Sequence, residues 1–121
     1  MDNSNKTILE KANAAIARGD HEEFLKYCSD DTEWTFLGDR KLNGKEAVRQ
    51  YMASTYIHPP KFDMKNIIAE NNFVTVLGTI TILNEDGKMT DYSYCDVWRF
   101  RDGKMAELIA FVIELKDSGS N

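Results

Sequence analysis

At 121 residues, 42% of them hydrophobic and 29% charged, the chain has the composition of one ordinary globular domain that can bury a core without disulfides or metal. Its net charge of −5, with no run or stripe of Lys and Arg, argues against nucleic acid or an anionic membrane as a partner. No stretch has the apolar length of a membrane span, and the opening Met1-Asp2-Asn3-Ser4-Asn5-Lys6 does not read as a signal peptide.

Residues 1–6 are polar and read as a frayed start. A first helix follows: Thr7 and Glu10 have capping-box spacing, and Ile8, Leu9, Ala12, Ala15 and Ile16 recur with helical period up to a stop at Arg18-Gly19. Asp20 caps a short second helix, with Glu23 in the reciprocal position. Phe24, Leu25 and Cys28 form its apolar side, His21 reads as a surface residue at its start, and Ser29-Asp30-Asp31 ends it. Residues 33–37 read as a short strand with Trp34 and Phe36 on one face, followed by a turn over 38–41. Asn43 and Glu46 suggest a third capping box, before a helix face of Ala47, Val48, Tyr51, Met52 and Thr55 that His58-Pro59-Pro60 terminates.

The rest reads as sheet. Strands over 62–70 and 73–83 flank the tight turn Asn71-Asn72; residues 84–88 turn into a strand through Tyr92 and Phe100; Asp102-Gly103 turns into a last strand over 105–114. The tail 116–121 is polar and is expected to be flexible. The expected class is α+β: a single domain over 1–121, with three helices and one strand among them, then a four-strand antiparallel meander. A sheet that curls over helices in this way forms a cone whose interior is a natural pocket.

Strand periodicity places Tyr92, Tyr94, Asp96, Trp98 and Phe100 on one face. A carboxylate in an aromatic stripe is expensive to bury unpaired. Asp96 is therefore either an acid or hydrogen-bond donor whose burial raises its pKa, or a structural Asp satisfied by a Tyr hydroxyl or Trp indole N–H. Trp34, Phe36, Tyr92, Tyr94 and Trp98 suit either a packed core or the wall of an apolar pocket. Gly78 removes a side chain from the inner face of its strand, leaving ligand space or marking a bend.

His58 and Tyr56 stand near the expected mouth and are candidates for a second catalytic group. No His, Asp, Glu or Cys grouping has metal-ligand spacing, no Ser or Cys has a recognisable His partner, and no glycine-rich phosphate loop is present, so neither metal nor cofactor is expected. Cys28 and Cys95 read as free thiols in a reducing cytoplasm. The last strand is apolar on both faces, with Leu108, Ala110 and Val112 on one and Ile109, Phe111 and Ile113 on the other; helices cover one side of such a sheet, and a second copy of the chain, meeting Val97, Ile109, Phe111 and Ile113, would supply the cover for the other.

Several motifs in order resemble the NTF2-like superfamily, and within it the SnoaL-like and ketosteroid-isomerase-like proteins. These are Ala14-Ala15-Ile16-Ala17-Arg18-Gly19-Asp20, Ser29-Asp30-Asp31 before a strand, Gly44-Lys45-Glu46-Ala47-Val48-Arg49-Gln50-Tyr51, and Cys95-Asp96-Val97-Trp98-Arg99-Phe100 with Asp102-Gly103-Lys104. The resemblance implies a cone-shaped curved antiparallel sheet with three N-terminal helices on its concave face, and pairing through the outer sheet face. Ketosteroid isomerase uses a general-base Asp with an oxyanion hole of a Tyr and a protonated Asp. By resemblance the protonated Asp falls on Asp96, but the base falls on Phe36, the oxyanion Tyr near Ala12 and its supporting Tyr near Met52. Steroid isomerisation by that mechanism is therefore not expected.

The expectation is a homodimer that binds a small, largely apolar molecule. Asp96 and His58 are its candidate catalytic groups; Trp34, Phe36, Met52, Tyr56, Tyr92, Tyr94, Trp98, Leu108 and Ala110 are its candidate ligand contacts. Its chemistry is either cofactor-free isomerase, cyclase or hydrolase-type catalysis, or none. In the second case the chain is a binding protein, or an association module whose pocket is filled by its own aromatic side chains.

Overall fold

The computed structural model describes residues 4–84 and 86–115. Its elements are α1 (Ser4–Ala17), α2 (His21–Lys26), β1 (Cys28–Phe36), β2 (Arg40–Asn43), α3 (Lys45–Thr55), β3 (Lys61–Glu70), β4 (Phe73–Leu83), β5 (Met89–Arg101) and β6 (Lys104–Glu114). The six strands form one curved, unclosed sheet in the order β2-β1-β6-β5-β4-β3. The expected α+β class and the antiparallel meander β3 to β6 are both present.

The meander follows from residue type. On β4, Val74, Val76, Gly78 and Ile80 are buried while Thr75, Leu77 and Thr79 alternate outward. Its hairpins close where the chain tolerates positive φ: Asn71 at 55°, and Asp102-Gly103 at 53° and 75°. Asp20 caps α2 as expected, its Oδ1 accepting from the Glu23 N–H at 3.1 Å.

The first half departs from the expectations in four places. Helix α1 begins at Ser4, so residues 4–6 belong to it; a capping pattern at Thr7 does not stop a helix whose period continues through half-buried Asn5 and Lys6. Residues 1–3 and 116–121, also expected to be flexible, lie outside the described residues. Strand β1 begins at Cys28 because it runs parallel to β6. The Met105 N–H donates to the Tyr27 carbonyl at 2.8 Å, and the Thr32 hydroxyl donates to the Met105 carbonyl at 3.0 Å. Ser29-Asp30-Asp31 is therefore an irregular stretch of strand, and the sheet is mixed rather than wholly antiparallel.

The expected turn over 38–41 runs into β2, which pairs with β1 from Phe36↔Arg40 to Glu33↔Asn43. Asn43 is thus committed to the sheet, and Gly44, at φ 90°, is the N-cap of α3 without a side-chain hydrogen bond. Glu46 turns instead to Arg49 and Gln50.

Helix α1 packs on β3 and β4, and α3 on β1 and β2, with α2 against both helices and β1. The two longer helices thus sit over opposite halves of the sheet. Between them the inner faces of β5 and β6 line an open space.

Candidate functional site

That space is a cavity of about 770 Å³. Every helix contributes to its wall, as do all strands except β2. Cross-strand register sets the floor. One row runs Val76, Asp96, Ala110, Phe36 across β4, β5, β6 and β1. The row below it runs Val74, Trp98, Leu108, Trp34, and the row above pairs Gly78 with Tyr94 and Val112. Asp96 is thus flanked across the sheet by Val76 and Ala110. The methyl of Ala110 leaves room directly beside the carboxyl.

Asp96 is half-buried, and its remaining exposure opens onto the cavity. Among the described residues no hydrogen bond or ion pair reaches its carboxyl. Removal from water pushes its pKa up to about 7. Near neutrality both the acid and the carboxylate are within reach. Among the described residues no Tyr hydroxyl or Trp indole N–H hydrogen-bonds to Asp96, and the Trp34 indole N–H and the Tyr94 hydroxyl are themselves buried without a partner there. Three polar groups on the cavity wall lack protein partners, which is the condition in which a ligand supplies them.

Tyr56 is the phenol that completes this set. It follows the last turn of α3, where its backbone N–H donates to the Met52 carbonyl at 2.8 Å. Burial, followed by the neighbouring Tyr51, Asp96 and Tyr94, holds its hydroxyl protonated well above the ordinary tyrosine range. It is a hydrogen-bond donor at any physiological pH. Tyr51 closes the aromatic wall, with ring centroids 5.1 Å from Phe36, 6.3 Å from Trp34 and 6.1 Å from Tyr56.

Of the candidate residues, Trp34, Phe36, Tyr56, Tyr92, Tyr94, Asp96, Trp98, Leu108 and Ala110 all line the cavity. Met52 does not: it is fully buried in the core beneath α3. His58 does not either; it is exposed on the segment after α3. The nearest imidazole to Tyr56 is instead His21, expected at the surface but half-buried, its ring edge-on to Tyr56 at 6.4 Å. Tyr51, Asn13 and Phe24 line the wall and were missed as contacts, although Tyr51 and Thr55 carried an i, i+4 signal on the α3 face.

Gly78 marks a bend. A Cβ there would lie 2.4 Å from the Asp63 carbonyl oxygen, where β3 bulges between Met64 and Asn66. Cys28 and Cys95 are both free, and burial pushes the Cys28 thiol up to about 12, which makes it inert as a nucleophile. Among the described residues no group of three His, Cys, Asp or Glu is placed to hold a metal ion, and no helix is long and apolar enough to cross a membrane.

No curated protein matches the chain by sequence. Solved structures match its fold. The epoxide hydrolase/cyclase-like enzyme SalBIII, which has a role in pyran ring formation in the polyether salinomycin, superposes with a TM-score of 0.83 at 16% identity, covering 89% of each chain. A putative SnoaL-like polyketide cyclase from a Jannaschia species gives 0.79 at 15% identity, over 90% of this chain and 85% of its own. An NTF2-like protein of unknown function from Burkholderia pseudomallei gives 0.78 at 17%, over 98% and 95%. These identities speak for the fold alone. The model of the SnoaL-like domain matches residues 9–108, most of the chain, and the protein belongs to that SnoaL-like family of the NTF2-like superfamily.

Proposed function

We propose that the cavity binds a small, largely apolar molecule whose polar group meets Asp96, and that Asp96 moves a proton on it. The chemistry is of isomerase, cyclase or hydrolase type and needs no cofactor. The supporting observation is the Asp96 carboxyl itself: it opens onto an apolar cavity, has no partner among the described residues, and titrates near neutrality. Tyr56, held protonated beside it, is the second donor in this reading, in place of the exposed His58.

A thermal-shift screen of apolar carbonyl compounds, steroids and polyketide-like phenols tests this on wild type and Asp96→Asn. A compound class that raises the melting temperature of wild type only, and is then converted, is the expected result. Saturable binding without conversion would favour a second reading, a non-catalytic binding protein. The apolar Phe36 and Ala12, at positions the family mechanism needs for its base and Tyr, support that reading. The third reading, a pocket packed shut by its own aromatics, has no support from a cavity of about 770 Å³.

The same proposal includes a homodimer through the outer sheet face, with the whole chain as one domain in the cytoplasm, where two free cysteines persist. Phe111 and Ile113 are 45% and 67% exposed there, beside half-buried Val97 and Ile109. Leu77, Cys95 and Phe111 form one continuous cross-strand row. A patch of this kind on a lone subunit is an aggregation hazard. Sedimentation should show a dimer, and Phe111→Asp with Ile113→Asp should weaken it by roughly tenfold or more. A monomer at all concentrations in wild type would refute this part.

A further inference from the structure

The cavity wall is electrically one-sided. Among the described residues that line it are three carboxylates, Asp39, Asp86 and Asp96, and no Lys, Arg or His. At the rim the Arg40 guanidinium stands 3.5 Å from the Asp39 carboxylate and over the Tyr51 ring at 5.8 Å, so it offsets Asp39 and leaves Asp96 as the inner carboxylate with no ion-pair partner among the described residues. The inner wall adds the rings of Trp34, Phe36, Tyr51 and Tyr56, whose π faces attract a cation and do nothing for an anion. An apolar carboxylic or phosphoric acid would find no basic side chain among the described lining residues to pair with. A neutral molecule would leave the field unused.

We propose that the molecule this cavity takes carries a basic nitrogen: an apolar aryl or alicyclic body with one ammonium group that donates its N–H to Asp96. This rests on the reading that the cavity is a binding site with Asp96 at its centre. Two features converge on it. Asp96 has no protein donor among the described residues, flanked as it is across the sheet by Val76 and Ala110, so the ligand has to bring one. The small Ala110 side chain leaves the space in which an ammonium group would stand against that carboxyl. The titratable groups near Asp96 are the phenols of Tyr56 and Tyr94, both uncharged, so among the described residues no cation competes for it. Once paired, Asp96 is held as the carboxylate and serves as proton acceptor rather than donor, which fixes the direction of proton movement that the empty cavity leaves open.

Matched probes test this. Phenylbutyl, naphthylethyl and adamantylmethyl bodies are each presented as the primary amine, the alcohol and the carboxylate, and titrated calorimetrically into wild type and Asp96→Asn. Above neutral pH the expected order in wild type is amine, then alcohol, then carboxylate, with at least about tenfold between amine and alcohol. In Asp96→Asn the alcohol persists and the amine preference is lost. In wild type, amine affinity falls as pH drops below the Asp96 pKa, approaching about tenfold per pH unit, because the proton and the ammonium compete for one carboxylate. Alcohol affinity stays flat. An alcohol that binds as tightly as its amine, and weakens in Asp96→Asn, overturns the basic nitrogen while leaving the Asp96 site intact. A full series in which none of the nine compounds binds overturns both.

Discussion

Asp96→Asn should make the protein more stable at pH 8 and no more stable at pH 4, so that the unfolding curves of variant and wild type cross. The carboxyl has its pKa raised from 3.8 to about 7 in the folded state. Between those values the folded protein holds a proton that the unfolded chain has released, so stability falls as pH rises through the window. The contribution is fully present below 3.8 and gone above about 7, opposite to the usual paired Asp. A shift of this size corresponds to an upper bound of about 4 kcal/mol. Water in the cavity reduces it, and the new amide's own unmet hydrogen bonds cost about 1 kcal/mol. The expected net gain at pH 8 is about 2 kcal/mol, or roughly 8 °C in melting temperature. Urea or thermal unfolding at about pH 4, 6 and 8 measures it. Parallel curves would mean that the carboxyl is solvated and that the cavity does not tune it. A protein that retains such a cost at a cavity wall has the pattern of a site in which function outweighs stability.

Strand alternation is why this residue was legible at all. The period of two places Asp96 among Tyr94 and Trp98 from the sequence alone, but the Asp-Gly turn does not set its partner on β6, because a bulge between Arg99 and Phe100 shifts the register by one residue. What failed was pairing between distant segments. Strand β1 is long because β6 draws it into a parallel ladder from Cys28↔Met105, and no local pattern in Ser29-Asp30-Asp31 encodes that partner. Strand β2, four residues without strong alternation, exists because β1 offers an edge.

The Met52 error has another origin. Successive helical residues point about 100° apart, so a wide apolar face includes both Tyr51 and Met52. Only the placement of α3 over β1 and β2 decides that Tyr51 meets the cavity and Met52 the core. His58 was named for its chemistry and its place after a helix; the orientation of a Pro-flanked segment is not written in such a pattern. That the cavity is open depends on how far apart α1 and α3 sit, which is a property of the assembled layers.

Gly78→Ala isolates the other half of the wall. Gly78 does not have positive φ, so its backbone suits any residue. In a strand of this kind alanine would ordinarily stabilise by about 0.4–1 kcal/mol, through the entropy of the unfolded chain. Here the new Cβ would stand 2.4 Å from the Asp63 carbonyl oxygen and 3.2 Å from the Met64 Cα, both backbone atoms, and 3.0 Å from the Tyr94 hydroxyl oxygen. The hydroxyl can swing away; the bulged β3 backbone cannot do so without breaking its ladder with β4. Overpacking of this sort costs about 2–3 kcal/mol and outweighs the entropic gain, so the variant should melt roughly 4–10 °C lower. The loss should appear equally at low and high pH, since no titrating group is removed. That distinguishes it from Asp96→Asn, whose effect changes sign. An alanine variant as stable as wild type would show that β3 yields at its bulge. The close approach of the two strands would then not be what holds Tyr94 at the cavity wall beside Asp96.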